Sequence, residues 1–195
     1  KSKLTLELPR QEKEMQHQAE KERIGQAAAA LVEEEQTVLL DSGTTAMAIA
    51  KELLKKKNLT IVTTDVLIAA FLVQNSSFAI YCTGDRVQNV TGSCMGSRAI
   101  AFLKEIYADI AFVGASSLDV ELGMSGPTFE KAELKKEIIL SAEKVILVAD
   151  SSKFNRRSIN KICSLQDFSL IISDKGVAAE TVQRLQEKGV ALQLV

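Results

Sequence analysis

The chain has 195 residues, 46% of them apolar, and 24 basic against 25 acidic side chains give a formal charge of −1. That balance argues against a surface that itself grips nucleic acid, where a basic excess is expected, while the apolar content suffices for one domain of above-average size or two small ones. No apolar run reaches the roughly 18 to 20 residues of a membrane span, the N-terminus lacks a signal-peptide pattern, and Cys82, Cys94 and Cys163, odd in number and without metal-ligand spacing, are expected to be reduced thiols of a cytoplasmic protein.

In chain order, Lys1 to Leu8 alternates weakly through Leu4, Leu6 and Leu8 and predicts an extended arm. The first residue is Lys rather than Met, so an upstream segment is expected. Pro9 opens a polar stretch, Arg10 to Glu35, that becomes apolar at Ile24, Ala27, Ala28, Leu31 and Val32, one face of a helix. Its first half has little to bury and is expected to project as a linker or to pack on a partner. His17, the only histidine, is expected on its surface.

From residue 37 onward, short aliphatic runs alternate with helical patterns. Strands are predicted at 37–40, 59–62, 78–81, 109–113, 144–148, 168–172 and 190–194, and helices at 44–56, 65–74, 96–107, 127–142 and 177–188. The alternation signals βαβ units, hence an α/β domain with a mostly parallel sheet flanked by helices. Pro127 suits a first helical turn and Gly189 a helix stop. There is no low-complexity segment and no internal repeat. The expected division is an arm over 1–19 and one domain over 20–195.

The run Leu39-Leu40-Asp41-Ser42-Gly43-Thr44-Thr45 leaves a strand and enters a helix. Free N–H groups, the dipole and three hydroxyls there suit an anion; equally, Ser42 or Thr44 serves as an ordinary helix cap. Four further strand ends carry similar chemistry: Thr63-Thr64-Asp65, Thr83-Gly84-Asp85-Arg86, Gly114-Ala115-Ser116-Ser117 and Asp150-Ser151-Ser152-Lys153. Ligands of open parallel sheets collect at the carboxyl ends of strands, so a cleft on this edge is expected. Hydroxyls and amides suit phosphate oxygens, Asp41, Asp65 and Asp85 suit sugar hydroxyls, and Arg86 and Lys153 supply positive charge.

These segments resemble the effector domain of DeoR-family transcriptional repressors. The resemblance rests on Glu22-Arg23-Ile24 with Ala27-Ala28, then Leu40 to Thr45, Ile61 to Asp65, Asp109 to Ala115 and Ala149 to Phe154. Glu130, Ala132, Leu134 and Lys135 fall where the family has a Glu-x-Ala-type helix, which adds Glu130 and Lys135 to the ligand-binding candidates. The resemblance runs in the family's order from about residue 20 to 175. It implies a sheet related to ribose-5-phosphate isomerase and CoA transferases, a phosphorylated sugar as effector, and DNA contact only through a winged helix-turn-helix that would precede this chain. Two departures bear on pocket shape: Thr83-Gly84 stands where the family usually has Gly-Gly, and Thr64 where Asn is commoner.

The expected function is therefore a sensor that binds a phosphorylated sugar, with no enzymatic activity, no cofactor, no metal and no membrane partner. A homo-oligomer is also expected, joined through the 10–35 helix or the terminal strand Val190–Val195. The alternatives are a phosphosugar isomerase of the same fold, with Asp85, Asp119 and Glu130 as candidate carboxylates, and an oligomerisation module with a vestigial pocket.

Overall fold

The computed structural model describes residues 2–3 and 9–195; the predicted arm over Lys1–Leu8 lies outside them apart from Ser2–Lys3. Seven parallel strands form the central sheet: β1 (Thr37–Leu40), β2 (Thr60–Thr63), β3 (Ala79–Cys82), β4 (Ala108–Gly114), β5 (Ala142–Val148), β6 (Leu170–Ser173) and β7 (Leu192–Leu194). Their order is β7-β6-β5-β4-β1-β2-β3. All seven were legible as aliphatic runs, most clearly the central strands, which are covered on both faces and apolar almost throughout.

The period of two divides each strand between two cores. Val38 and Leu40 of β1 join Ile110 and Phe112 of β4 under α2 (Gln18–Ala30), α3 (Thr44–Leu53) and α4 (Val66–Asn75). Leu39, Ala111 and Val113 face the other way, toward α5 (Ser97–Lys104), α6 (Phe129–Leu140) and α7 (Ala179–Glu187). Leu39 pairs with Ala111 and Leu40 with Phe112, so the central pair is in register on both faces. The result is a mostly parallel sheet flanked by helices.

The stretch 10–35 departs from expectation. It forms two helices, α1 (Arg10–Met15) and α2, broken at His17, which is exposed and holds a left-handed backbone with φ 53°. That turn doubles α1 back over the body instead of letting it project, and Arg10 and Lys21 are only 7% and 6% exposed. The terminal strand pairs with β6, Leu192 opposite Ile171. Both surfaces expected to join subunits therefore cover the chain's own core. Pro127 precedes the helix cap rather than occupying the first turn: Thr128 is the cap, its hydroxyl accepting from the Lys131 amide at 3.4 Å.

Three small sheets were not foreseen: the hairpin Arg86–Gln88 with Ser93–Met95, the antiparallel trio Ser117–Asp119, Gly123–Gly126 and Asn160–Cys163, and Ser2–Lys3 beside Arg156–Arg157. Strands this short carry too few residues for a periodic signal. Cys82, Cys94 and Cys163 are free thiols. Among the described residues no helix is long and apolar enough to cross a membrane.

Close packing of α2 on α3 is set at Gly25, where an added Cβ would lie 2.9 Å from the carbonyl carbon of Ala48 and 3.2 Å from its Cβ. Because the obstruction is backbone, Gly25→Val is expected to destabilise by about 1–3 kcal/mol through overpacking, read as a lower denaturant midpoint. A midpoint equal to the parent's would show that the two helices have room to part.

Candidate functional site

The strand order reverses at β1: the chain runs outward through β2 and β3, then returns to place β4 on the other side of β1. Loops leaving the carboxyl ends of β1 and β4 diverge at such a point and open a crevice. A pocket occupies it here, lined by Ser42 to Ala46 after β1 and Gly114 to Ser116 after β4.

The start of α3 forms the pocket's floor. Its cap residue is Gly43, with φ 122° and no side-chain cap bond, so neither Ser42 nor Thr44 caps the helix. The Ser42 hydroxyl instead accepts from the Ser93 hydroxyl at 2.8 Å. The Ser42 amide donates to Asp41 Oδ1 at 2.7 Å and the Gly43 amide to Asp65 Oδ2 at 3.0 Å, while the first helical bond runs from the Met47 amide to the Gly43 carbonyl. Among the described residues the amides of Thr44, Thr45 and Ala46 have no acceptor. Three unsatisfied donors at the positive end of a helix suit an anion.

Seven basic side chains surround this floor, against one lining carboxylate, Asp150. Arg10, Lys13 and Lys21 come from α1 and α2, Lys131 and Lys135 from α6, and Lys153 and Arg156 from the segment after β5. A chain of net charge −1 thus concentrates positive charge in one crevice, which favours an anionic ligand.

Two buried aspartates hold the arrangement. Asp41 accepts from the amides of Ser42 and Gly114 and from Lys135 Nζ, which also donates to the Gly114 carbonyl at 2.7 Å. Asp65 caps α4 through Oδ1, which accepts from the amides of Leu67 and Ile68 at 2.9 and 3.3 Å. Its Oδ2 accepts from the Gly43 amide and, at 2.6 Å, from Arg10 Nη1. Arg10 also donates from Nε to Glu14, yet its Nη2 is buried with no partner among the described residues. Lys21 Nζ donates to the carbonyls of Lys13 and Gln16, and burial holds its pKa below the ordinary lysine value, with Asp150 opposing and Lys153 and Lys13 reinforcing that shift.

Of the sequence candidates, Ser42, Gly43, Thr44, Thr45, Gly114, Lys135 and Lys153 line the pocket. Asp41 and Asp65 lie beneath its wall with both oxygens engaged, so they position the site instead of offering open acceptors to sugar hydroxyls. Thr64 is buried in the ladder, its amide on the Leu40 carbonyl and its carbonyl taken by the Cys94 amide. Gly84, Asp85 and Arg86 stand away from the pocket because β3 is the sheet edge, two positions beyond β1, and Glu130, on α6 beside the lining Lys131, is turned to Arg86 instead. There Asp85 accepts from the amides of Arg98 and Arg86, which pull its pKa down, and Arg86 pairs with Glu130 at 2.7 Å on the surface. Asp119 accepts from the amides of Glu121 and Leu122 in a turn. None of the three carboxylates considered for catalysis lines the pocket. Arg10, Lys13, Lys21, Lys131 and Arg156 were missed. Lys21 had a signal, since it shares the buried face of Ile24 and Ala28 at helical spacing; the turn at His17 that delivers Arg10 had none.

Comparison with known proteins places the chain in a family. Residues 16–175 match the DeoR C terminal sensor domain. An uncharacterized HTH-type transcriptional regulator of Haemophilus influenzae is 35% identical over 98% of this chain and 75% of its own length. A putative aga operon transcriptional repressor of Escherichia coli O157:H7 is 33% identical over 91% of this chain, which spans 66% of that relative. Among solved structures, ribose 5-phosphate isomerase A of Methanocaldococcus jannaschii superposes with a TM-score of 0.53 at 17% identity, covering 71% of this chain and 55% of that one, a likeness of fold.

The clamp between Asp65 and Arg10 is testable by itself. Asp65→Asn keeps an acceptor for the start of α4 but strands a buried guanidinium, at an expected cost of about 3–5 kcal/mol. The same change in an Arg10→Met background should cost clearly less. Equal losses in the two backgrounds, measured by denaturant unfolding, would show that the pair is not coupled.

Proposed function

The chain belongs to the DeoR C-terminal sensor-domain family, and from that premise we propose that it is the effector-binding part of a transcriptional regulator, taking a phosphorylated sugar or sugar derivative in the crevice between β1 and β4. The observation that carries the reading is the convergence of three acceptor-less α3 amides and seven basic side chains on one pocket. The buried Arg10 Nη2, without a partner among the described residues, is a second, independent observation in favour of an anion.

In this reading the phosphate sits on the amides of Thr44, Thr45 and Ala46, and the sugar extends toward Gly114 and Lys153. Because Arg10 and Lys21 belong to α1 and α2, a bound anion bridges the N-terminal helices to the body of the domain. A ligand that binds better with α1 docked shifts the population toward that state, and only such differential affinity transmits a signal. The DNA-reading head is assigned to the part of the relatives' length that this chain does not span. The domain works in the cytoplasm as a homo-oligomer, because paired DNA sites are read by paired heads. An isomerase is disfavoured by the position of Asp85, Asp119 and Glu130 outside the pocket.

A thermal-shift panel of triose, pentose and hexose phosphates tests the binding claim. A ligand at about 100 times its Kd should stabilise by about 2.7 kcal/mol. Thr44→Pro removes one ligand-facing amide at a first-turn position that tolerates proline and should abolish most of the shift, whereas Thr44→Ala should retain it. A full shift in the proline variant would place the anion elsewhere. Sedimentation tests the assembly: a single species at 21.2 kDa across concentration, with and without ligand, would sink the oligomer.

A further inference from the structure

The basic side chains of the pocket fall into two groups. One lies at the start of α3, where Arg10 shares Asp65 Oδ2 with the Gly43 amide and leaves Nη2 unsatisfied beside the three free helix amides. The other lies past the end of β5 and comprises Lys21, Lys153 and Arg156. Lys21 stands on α2, which packs against β5 and β6, and so joins that end. Because β1 and β5 flank β4, their ends are two strand spacings apart, about 9.5 Å. That is close to the extended length of a five- or six-carbon chain carrying a group at each end.

The second group is short of negative charge. Asp150 is its lining carboxylate, and it stands 3.5 Å from Lys153. Lys21 is 6% exposed and spends two of its three N–H donors on carbonyl oxygens, with no carboxylate among its hydrogen-bond partners. Arg156 has no side-chain partner among the described residues. A ligand with one phosphate, seated on α3, would satisfy the first group and leave these three cations with Asp150 as their single lining carboxylate.

Resting on the proposed sugar-phosphate reading, we infer that the pocket takes a doubly anionic ligand: a phosphate at the α3 end and a second anionic group, carboxylate or phosphate, held by Lys21, Lys153 and Arg156 at the β5 end. Phosphorylated sugar acids and sugar bisphosphates share that chemistry; monophosphates of neutral sugars do not.

Calorimetric titration of matched pairs tests this: glucose 6-phosphate against 6-phosphogluconate, ribose 5-phosphate against 5-phosphoribonate, and fructose 6-phosphate against fructose 1,6-bisphosphate. In the pair that binds most tightly, the doubly anionic member should bind about tenfold tighter or more, the weight of one charge-assisted hydrogen bond. The sugar-acid and bisphosphate pairs distinguish carboxylate from phosphate as the second group. Arg156→Ala, a change at a partly exposed residue, should erase that preference, the doubly anionic member losing about tenfold more affinity than the monophosphate. Equal or tighter binding of the neutral-ended monophosphate in that pair overturns the inference and leaves the sugar-phosphate reading standing. A preference that survives in both Arg156→Ala and Lys21→Met overturns the assigned residues. No binding by any member removes both readings together.

Discussion

Asp65 ties together the parts on which the pocket depends. It has no exposed surface, and its two oxygens accept four hydrogen bonds from three different segments. Two secure the first turn of α4, one fixes the Gly43 amide and so the pitch of α3, and one holds the guanidinium of α1. A buried carboxylate survives only if paired and hydrogen-bonded, so its burial forces all three segments into one arrangement. Asp41 does the same for the ends of β1 and β4 and for Lys135 on α6. The amides of Thr44, Thr45 and Ala46 open α3, where no preceding turn supplies an acceptor, and among the described residues they have none.

Charge in this molecule is arranged locally. Net charge describes a whole surface, and here its value is −1. It conceals seven cations gathered around one crevice, six of them from outside the strand-end motifs. The fold shared with ribose 5-phosphate isomerase supplies the crevice by topology, but a shared fold does not carry a shared reaction. Its function here follows from which side chains enter the crevice, and those are donors.

The N-terminal helices link the site to the rest of a regulator. A left-handed residue, His17, lets α1 fold back so that Arg10 reaches beneath the start of α3. In the proposed reading, ligand contacts and the seating of these helices depend on the same guanidinium. That is a physical route by which occupancy is read as position, without any long-range wire through the sheet.

The sequence by itself determined the seven strands and five of the helices of the α/β layer, because apolar runs and helical spacing are imposed by burial on one or two faces and need no knowledge of partners. It also determined the loop Ser42–Thr45 as an anion candidate, since the residues that make a helix start are contiguous. The tertiary structure alone decided which strand ends meet. β1, β4 and β5 contribute to the pocket, while β3 lies at the sheet edge and takes Gly84, Asp85 and Arg86 with it. It alone decided that Asp41 and Asp65 face inward as supports, and that Arg10, distant by 55 residues from Asp65, completes the site. Strand order and the path of α1 are set by contacts between segments far apart in the chain, and no local pattern of residues encodes such contacts.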